Sequence, residues 1–455
     1  MLRLGKVGRG GQDYYLAVAA GSGTGIEPAG RWSGQGAVQL DLRGDVAAAA
    51  LGAVLDGWHP GSAELLSETH NRVRVAAFDL TFCAPKSVSL LHALGDRDVA
   101  EAVRDCHEQA VAGALGYVER RAAAVRGPQR EGRPPLPVDG LVTATFLHRT
   151  SRALDPHLHT HAVVANLASG AGRPWHALDG RGVFAHRAAA DALYHAELRF
   201  GLTARLGVGF GPLHHGRADI EGIGPEVRGA FSQRAAAIAA ELERIGHHGG
   251  HAAVLAAHTT RPSRRLDVGA DDLSSWWRQR AETLGFGPSA IDRVLSAGPG
   301  QLVEDVGDLA ARASKALSLA GRPVARRDAI AALCWSAPAG LPAATVDGVA
   351  DGVLAAAARR VGVPVPTWGP GVAERRVDVG PARLAQRDFD LSDPSSRPRD
   401  GLDADDPRDL DPTARWRVAA ERSDELLRRR LAARGMCREP LVSPDQEVGF
   451  DLGMG

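Results

Sequence analysis

Apolar residues recur at two periods along this chain, and the switches between them mark its elements. Val73–Phe82 has strand character, with β-branched and aromatic residues, and Ala84-Pro85-Lys86-Ser87 marks its exit into Val88–Leu94, which starts a helix. The stretch 98–126 is helical by composition and periodicity, and Pro128–Pro137 breaks it. Leu141–Leu147 reads as a second strand. Arg149–Pro156 then reads as a turn, its Asp155-Pro156 pair favouring a reversal before the next extended run, His157–Leu167. A long helix follows over Arg187–Leu206. Before the first strand, Asp13–Ala20 fits either a helix or an extended segment, 21–36 is a Gly-rich loop, and Asp45–Leu55 reads as helix.

Beyond Gly207 the strand signal fades. Residues 226–245 and 271–284 are helical in pattern, with at least one of Trp276 and Trp277 expected in the core, and a smaller helical unit runs from about 300 to 360. Pro364-Val365-Pro366 begins a less organised region. Asp388–Pro412, rich in Asp, Pro, Arg and Ser, reads as a flexible linker, and a short helix returns at 415–434. Strands forming a layer covered by helices give an α+β class.

Composition changes this picture little. The 455 residues hold 44% hydrophobic side chains, ample for a sizeable core, and 54 basic residues balance 54 acidic ones. Zero net charge gives no global support for nucleic-acid binding, but it averages over regions of different sign. Residues 119–133 carry five arginines against two glutamates, the stretch 141–210 is mildly basic, and 388–411 is dominated by aspartate. Four cysteines at 83, 106, 334 and 437 are too dispersed for a zinc ribbon or a disulfide scaffold, so reduced thiols are expected. Neither a signal peptide nor an apolar run of the roughly 20 residues needed to span a bilayer occurs, and a cytoplasmic protein without stable membrane insertion is expected.

Candidate chemistry concentrates in His157-Leu158-His159-Thr160-His161. On a strand these three imidazoles project from one face, and neutral imidazoles fixed on a strand make good ligands for a divalent metal. His148 lies at the end of the preceding strand, so a hairpin places it beside His159 and His161. Spacing alone selects His157, His159 and His161. The bland alternative is a solvated strand or a set of satisfied core histidines.

Four ordered stretches carry a family resemblance: Asp13-Tyr14-Tyr15, Arg31-Trp32-Ser33-Gly34-Gln35-Gly36, Phe78–Ser89 (FDLTFCAPKSVS) and His148–His161 (HRTSRALDPHLHTH). Together they resemble the conjugative relaxases of the MobF class, within the HUH endonucleases, over about residues 1–300. The resemblance implies an antiparallel β-sheet flanked by helices, the relaxase palm, with a helical C-terminal extension. With the composition of the segments beyond it, the expected organisation is a nuclease domain at 1–300, a small helical region at 301–365, a Pro/Asp-rich linker at 366–414 and a short helix with a tail at 415–455.

Carried over by motif, the metal ligands are His148, His159 and His161, while His157, standing where the family commonly has glutamine, sits beside the ligands or faces DNA. The implied ion is Mg2+ or Mn2+, although three imidazoles suit Zn2+ better. Tyr14 is the implied nucleophile with Tyr15 in reserve, Asp79 orients a ligand histidine and assists tyrosine deprotonation, and Lys86 and Arg152 are candidates for phosphate contacts. The implied reaction is strand- and site-specific nicking and rejoining of single-stranded or locally melted DNA at an origin of transfer, through a 5′-phosphotyrosine. A replication initiator using the same chemistry, or a DNA-binding mobilisation protein with weak or lost nicking, are the alternatives. Many members carry two tyrosine pairs, whereas only Tyr14-Tyr15 precedes Trp32 here. No Gly-x-x-x-x-Gly-Lys-Ser/Thr phosphate loop occurs, so no ATP site is expected; a separate helicase, a coupling protein and accessory DNA-binding proteins are the implied partners.

Overall fold

Five strands pair antiparallel into one sheet, and the two faces of that sheet are covered very differently. In the computed structural model the described residues are 2–362, without 22–26, 63, 68–73, 126–134, 171–173, 247–248, 261–269, 299–303 and 321, together with 377–378. The linker and helix expected at 388–412 and 415–434 lie outside them. In chain order the elements are β1 (Arg3–Gly8), α1 (Asp13–Ala19), β2 (Arg31–Ser33), α2 (Gln35–Gln39), α3 (Ala48–Leu55), β3 (Val75–Cys83), α4 (Lys86–Leu94) and α5 (Arg97–Arg121). Next come β4 (Ala124–Val125), β5 (Leu136–Pro137), β6 (Thr143–Thr150), β7 (Pro156–Ala165) and α6 (Gly180–Leu206). Helices α7 (Pro225–Ala230), α8 (Gln233–Ile245), α9 (Gly250–Thr259), α10 (Ala270–Thr283), α11 (Pro288–Ser296) and α12 (Val306–Ser318) follow, then β8 (Pro323–Val324), α13 (Arg326–Ser336), α14 (Ala343–Arg360) and β9 (Val377–Asp378).

The sheet order is β1-β3-β7-β6-β2. Because side chains alternate along a strand, β3 and β7 each divide their residues between two cores. Phe78, Leu80, Phe82, Leu158, Ala162 and Val164 pack with Val88, Val103, Ala110 and Leu193 of α4, α5 and α6. Ala77, Val163, Ala165, Ala144 and Phe146 face the other way, against Tyr15, Ala37, Leu51 and Leu55 of α1, α2 and α3. The first core is large and continues through Leu309, Ile330 and Val353 of α12, α13 and α14. The second is a thin cover.

Local chemistry explains several boundaries that differ from the periodicity. The helix expected from Asp45 starts at Ala48, because the Val46 N–H donates to the Gly30 carbonyl at 2.7 Å and Asp45 bridges to Arg31. Helix α6 begins at Gly180, ahead of the expected Arg187, where the Asp179 side chain accepts from the Arg181 N–H; Gly207, at φ 66°, ends it in a left-handed cap. The helix expected over 226–245 is broken into α7 and α8 by Phe231, which is fully buried. In the Arg31–Gly36 motif, Gly34 has φ 91° and a Cβ there would lie 2.2 Å from the Leu141 carbonyl oxygen, so only glycine lets α2 start against β6. No helix among the described residues is long and apolar enough to cross a membrane.

Candidate active site

The histidine run lies on the thinly covered face. In β7 the residues Ala165, Val163, His161, His159 and His157 share one side, so the apolar row that packs under α1, α2 and α3 turns into imidazole where that cover stops. Register brings the neighbours alongside: His148 of β6 pairs directly with His159, Phe146 with His161, and on the other flank Thr81 of β3 pairs with His161 and Cys83 with His159. Immediately after His148 the β6–β7 register shifts, an irregularity of the kind that re-aims side chains beside functional sites.

Three imidazoles converge. One ligand nitrogen from each of His148, His159 and His161 can be chosen so that all lie within 4.8 Å of one another. Their ring centroids are 5.2–5.3 Å apart. Hydrogen bonds settle which nitrogen each β7 ring offers. The His159 Nδ1–H donates to the His157 carbonyl at 2.8 Å, and the His161 Nδ1–H donates to Asp79 at 2.9 and 3.0 Å, leaving the Nε2 lone pair of each free. Burial, then the neighbouring His161, pushes His159 down to about 4, so it is neutral at physiological pH. A donor set of three converging imidazoles fits a divalent cation, and the carboxylate behind His161 is the usual partner of a ligand histidine. His157 stacks on His159 at 4.6 Å and is outside the converging trio. Burial holds it well below the ordinary histidine value.

The tyrosine pair closes one side of the trio. Helix α1 turns Tyr15 inward, where its O–H donates to Asp79 at 2.8 Å and its ring packs 6.1 Å from both Phe146 and His161. Burial first, then the Asp79 charge, raises the Tyr15 phenol far above its ordinary value. Tyr14 is less enclosed, with its ring edge-on to Tyr15 at 5.0 Å and 6.5 Å from His161. Asp79 therefore joins Tyr15, His161 and Thr81, whose hydroxyl donates to it at 3.3 Å.

The family model of the TrwC relaxase matches residues 5–284. The chain belongs to the TrwC relaxase family. Two forms of the Multifunctional conjugation protein TraI, from Escherichia coli and from its strain K12, are 36% and 35% identical over 274 residues. That match takes in 56% of this chain and 14% of the relatives, so the chain spans about a seventh of their length. Solved structures of conjugative relaxase TrwC in complex with oriT DNA, one metal-bound (28% identical, TM-score 0.57) and one metal-free (29%, 0.54), match over 63% of this chain and 99% of theirs. A copper-bound structure of TrwC with oriT DNA matches equally well, at 29% identity and TM-score 0.55. The antiparallel sheet flanked by helices expected from the sequence is the fold they share.

Among the residues singled out in the sequence, Tyr14, Tyr15, Asp79, His148, His159 and His161 come together. Lys86 is placed differently from an open phosphate contact: its Nζ donates to the Pro156 carbonyl at 2.7 Å, and burial lowers its pKa. Arg152 is partly exposed in the β6–β7 turn. Of the basic stretch 119–133, Arg120 and Arg121 lie 3.8 and 3.5 Å from Asp347 of α14. Trp277 is buried and Trp276 is 39% exposed under Arg280. Sequence reasoning missed Thr81, though its position two residues from Asp79 on a strand put it on the same face. It also missed Arg3, which pairs with Thr81 across β1–β3, is exposed, and adds its positive charge to the causes that disfavour protonation of His157 and His159.

Proposed function

We propose that this chain nicks and rejoins one strand of DNA at an origin of transfer by tyrosine transesterification, with His148, His159 and His161 holding a divalent metal. The observation that carries this reading is the convergence of the three imidazoles with Asp79 and the tyrosine pair at the open end of one sheet face. The TrwC relaxases it resembles were solved in complex with oriT DNA. A divalent cation bound there supplies charge to polarise the scissile phosphate; Mg2+ or Mn2+ is the physiological candidate, and Zn2+ fits the donor set.

The chain's own groups divide the remaining work. Tyr14 supplies the nucleophilic oxygen, since the Tyr15 hydroxyl is committed to Asp79 and burial keeps it protonated. The Tyr14 oxygen bonds to phosphorus as the bond from phosphorus to the 3′ oxygen breaks; the phenol loses its proton and the 3′ oxygen gains one, leaving a 5′-phosphotyrosine and a 3′-hydroxyl. One phosphodiester is exchanged for another, so the reverse attack rejoins the strand without ATP. Asp79 holds His161 in the required tautomer, accepts the Tyr15 O–H at 2.8 Å, and is the carboxylate assigned to assist deprotonation of the nucleophile. Arg3 and Arg152 supply positive charge for the DNA backbone, and a single-stranded or locally melted substrate gives the in-line access that a duplex denies.

On this reading residues 1–300 are the nuclease and 301–365 a helical extension of a cytoplasmic protein that works with a coupling protein, a separate helicase and accessory DNA-binding proteins. The test is to incubate the chain with labelled single-stranded oligonucleotides tiling the DNA that encodes and flanks it, with and without Mn2+. A metal-dependent covalent adduct mapped by peptide mass spectrometry to Tyr14 is expected. Attachment at Tyr15 would reassign the nucleophile, and DNA binding without any adduct would point to a mobilisation protein that has lost nicking.

A further inference from the structure

Three consecutive residues of the β6–β7 turn are each tied to a different helix. The Trp277 Nε1–H of α10 donates to the Leu154 carbonyl at 2.8 Å. The carboxylate of Asp155 accepts from the backbone N–H and the side-chain amide of Gln233, the first residue of α8, at 2.9 and 2.8 Å. The Lys86 Nζ of α4 donates to the Pro156 carbonyl at 2.7 Å. Within the turn, Ser151 N–H donates to the Asp155 carbonyl at 2.9 Å and the Ser151 hydroxyl accepts from the Asp155 N–H at 3.2 Å.

This turn joins the strand of His148 to the strand of His159 and His161, and it needs outside support. Its own ladder is interrupted, because the register shifts just after His148. Leu154 sits at φ 60°, a left-handed conformation that costs a branched L residue about 1 kcal/mol or more and persists only where surroundings hold it. Asp155 is 1% exposed, a burial that a carboxylate tolerates because its oxygens are bonded and because it lies at the positive end of α8.

We propose that Asp155 is a positioning residue for the metal centre: with Trp277 and Lys86 it braces the turn from three helices and so sets the separation of His148 from His159 and His161. The inference rests on the functional reading above, in that it takes the trio as the metal site. Its consequence is that helices α8 and α10, which contribute no ligand, control metal affinity. Loss of a group supporting a ligand from the second rank typically costs ten- to a hundredfold in affinity, a larger effect than a remote packing defect produces.

The test is direct titration of Mn2+ into the full chain, read by the electron paramagnetic resonance of free Mn2+, with the melting temperature recorded for every variant. Asp155→Ala is expected to weaken Mn2+ binding about tenfold. Trp277→Phe and Gln233→Met, which keep most of the apolar volume and remove one donor each, are expected to weaken it about threefold, the scale of one hydrogen bond. Leu309→Ala, in the core of α12 and away from the turn, is expected to lower the melting temperature and leave Mn2+ affinity unchanged. If Asp155→Ala fails to fold, the two milder variants decide the matter by the same criterion. Folded variants that bind Mn2+ as the unaltered chain does, or a Leu309→Ala chain that loses as much affinity as they do, overturn the inference alone. Absence of Mn2+ binding by the unaltered chain overturns the functional reading and the inference with it.

Discussion

Strand β7 separates two groups of histidines that look alike in composition and behave oppositely. On its helix-covered side Thr160 meets His107 of α5, fully buried, whose two ring nitrogens are both engaged, by the Tyr194 hydroxyl at 2.8 Å and the Thr160 hydroxyl at 2.8 Å. His186, on α6, is buried and held at Nδ1 by the Tyr117 hydroxyl at 2.6 Å, with no second imidazole beside it in a converging group among the described residues. On the other side, one residue along in each direction, His159 and His161 bond protein partners through Nδ1, and each offers a ring nitrogen to the trio completed by His148. A histidine with both nitrogens bonded is a piece of core; one with a single nitrogen bonded, next to others in the same state, is a ligand in waiting. Hydrogen-bond accounting, more than burial, separates the two groups, since both are largely removed from water.

The contrast breaks most visibly at the nucleophile. Tyr14→Phe is expected to lower covalent adduct formation by roughly a thousandfold or more, as loss of a nucleophilic oxygen does, with metal and DNA affinity retained; Tyr15→Phe keeps measurable cleavage. Denaturing gels of the trapped adduct check both. Next in size, His159→Ala or His161→Ala should weaken Mn2+ binding at least about a hundredfold, measured by titration, because each removes a ligand outright where loss of a mere supporting group already costs up to that much. His157→Ala should cost far less, since that ring is outside the trio.

On the opposite side, His107→Ala should leave metal binding intact and cost stability of about 2–4 kcal/mol in denaturant unfolding, because it opens a cavity and strands two buried hydroxyls. Mild acid acts on the same buried groups. Burial lowers His107 to about 3 and His186 to about 4, the latter also pressed by Arg327, Arg326 and Arg121 against the weaker opposing pull of Asp328. Both are neutral in the fold, so below about pH 6.5 the unfolded chain binds protons that the folded chain refuses. Stability is full above that value and falls, by up to about 1.4 kcal/mol per pH unit for each group, down to the folded pKa. Melting curves between pH 7.5 and about pH 5 should show this decline, and His107→Ala should make it shallower.

Much of the site was legible in the residues. The alternation of His157, His159 and His161 required a single face, and the Asp155-Pro156 turn brought His148 opposite His159. Spacing by itself groups His157 with His159 and His161, whereas the ring that converges with those two is His148; a run of alternating histidines does not reveal that His157, at the strand's edge, stacks on its neighbour. The Tyr14-Tyr15 pair was open between helix and strand, and helix α1 resolves it, turning adjacent rings to different environments about 100° apart. Lys86 was read by its charge, but its amine is used on the Pro156 carbonyl, a tie between residues 70 positions apart that periodicity does not encode. The same holds for Gln233 with Asp155 and Trp277 with Leu154: ordinary polar residues acquire a role through long-range packing of α8 and α10 on a turn.

The central claim, that β7 presents a metal centre on one side and a histidine of the core on the other, is tested most directly by X-ray diffraction from crystals grown with Mn2+, using anomalous scattering at the manganese edge. One strong peak is expected, within coordinating distance of Nε2 of His159 and His161 and of a ring nitrogen of His148, with none at His107. A peak ligated by His157 without His148, or no peak on this face while the crystals bind Mn2+ elsewhere, would contradict it.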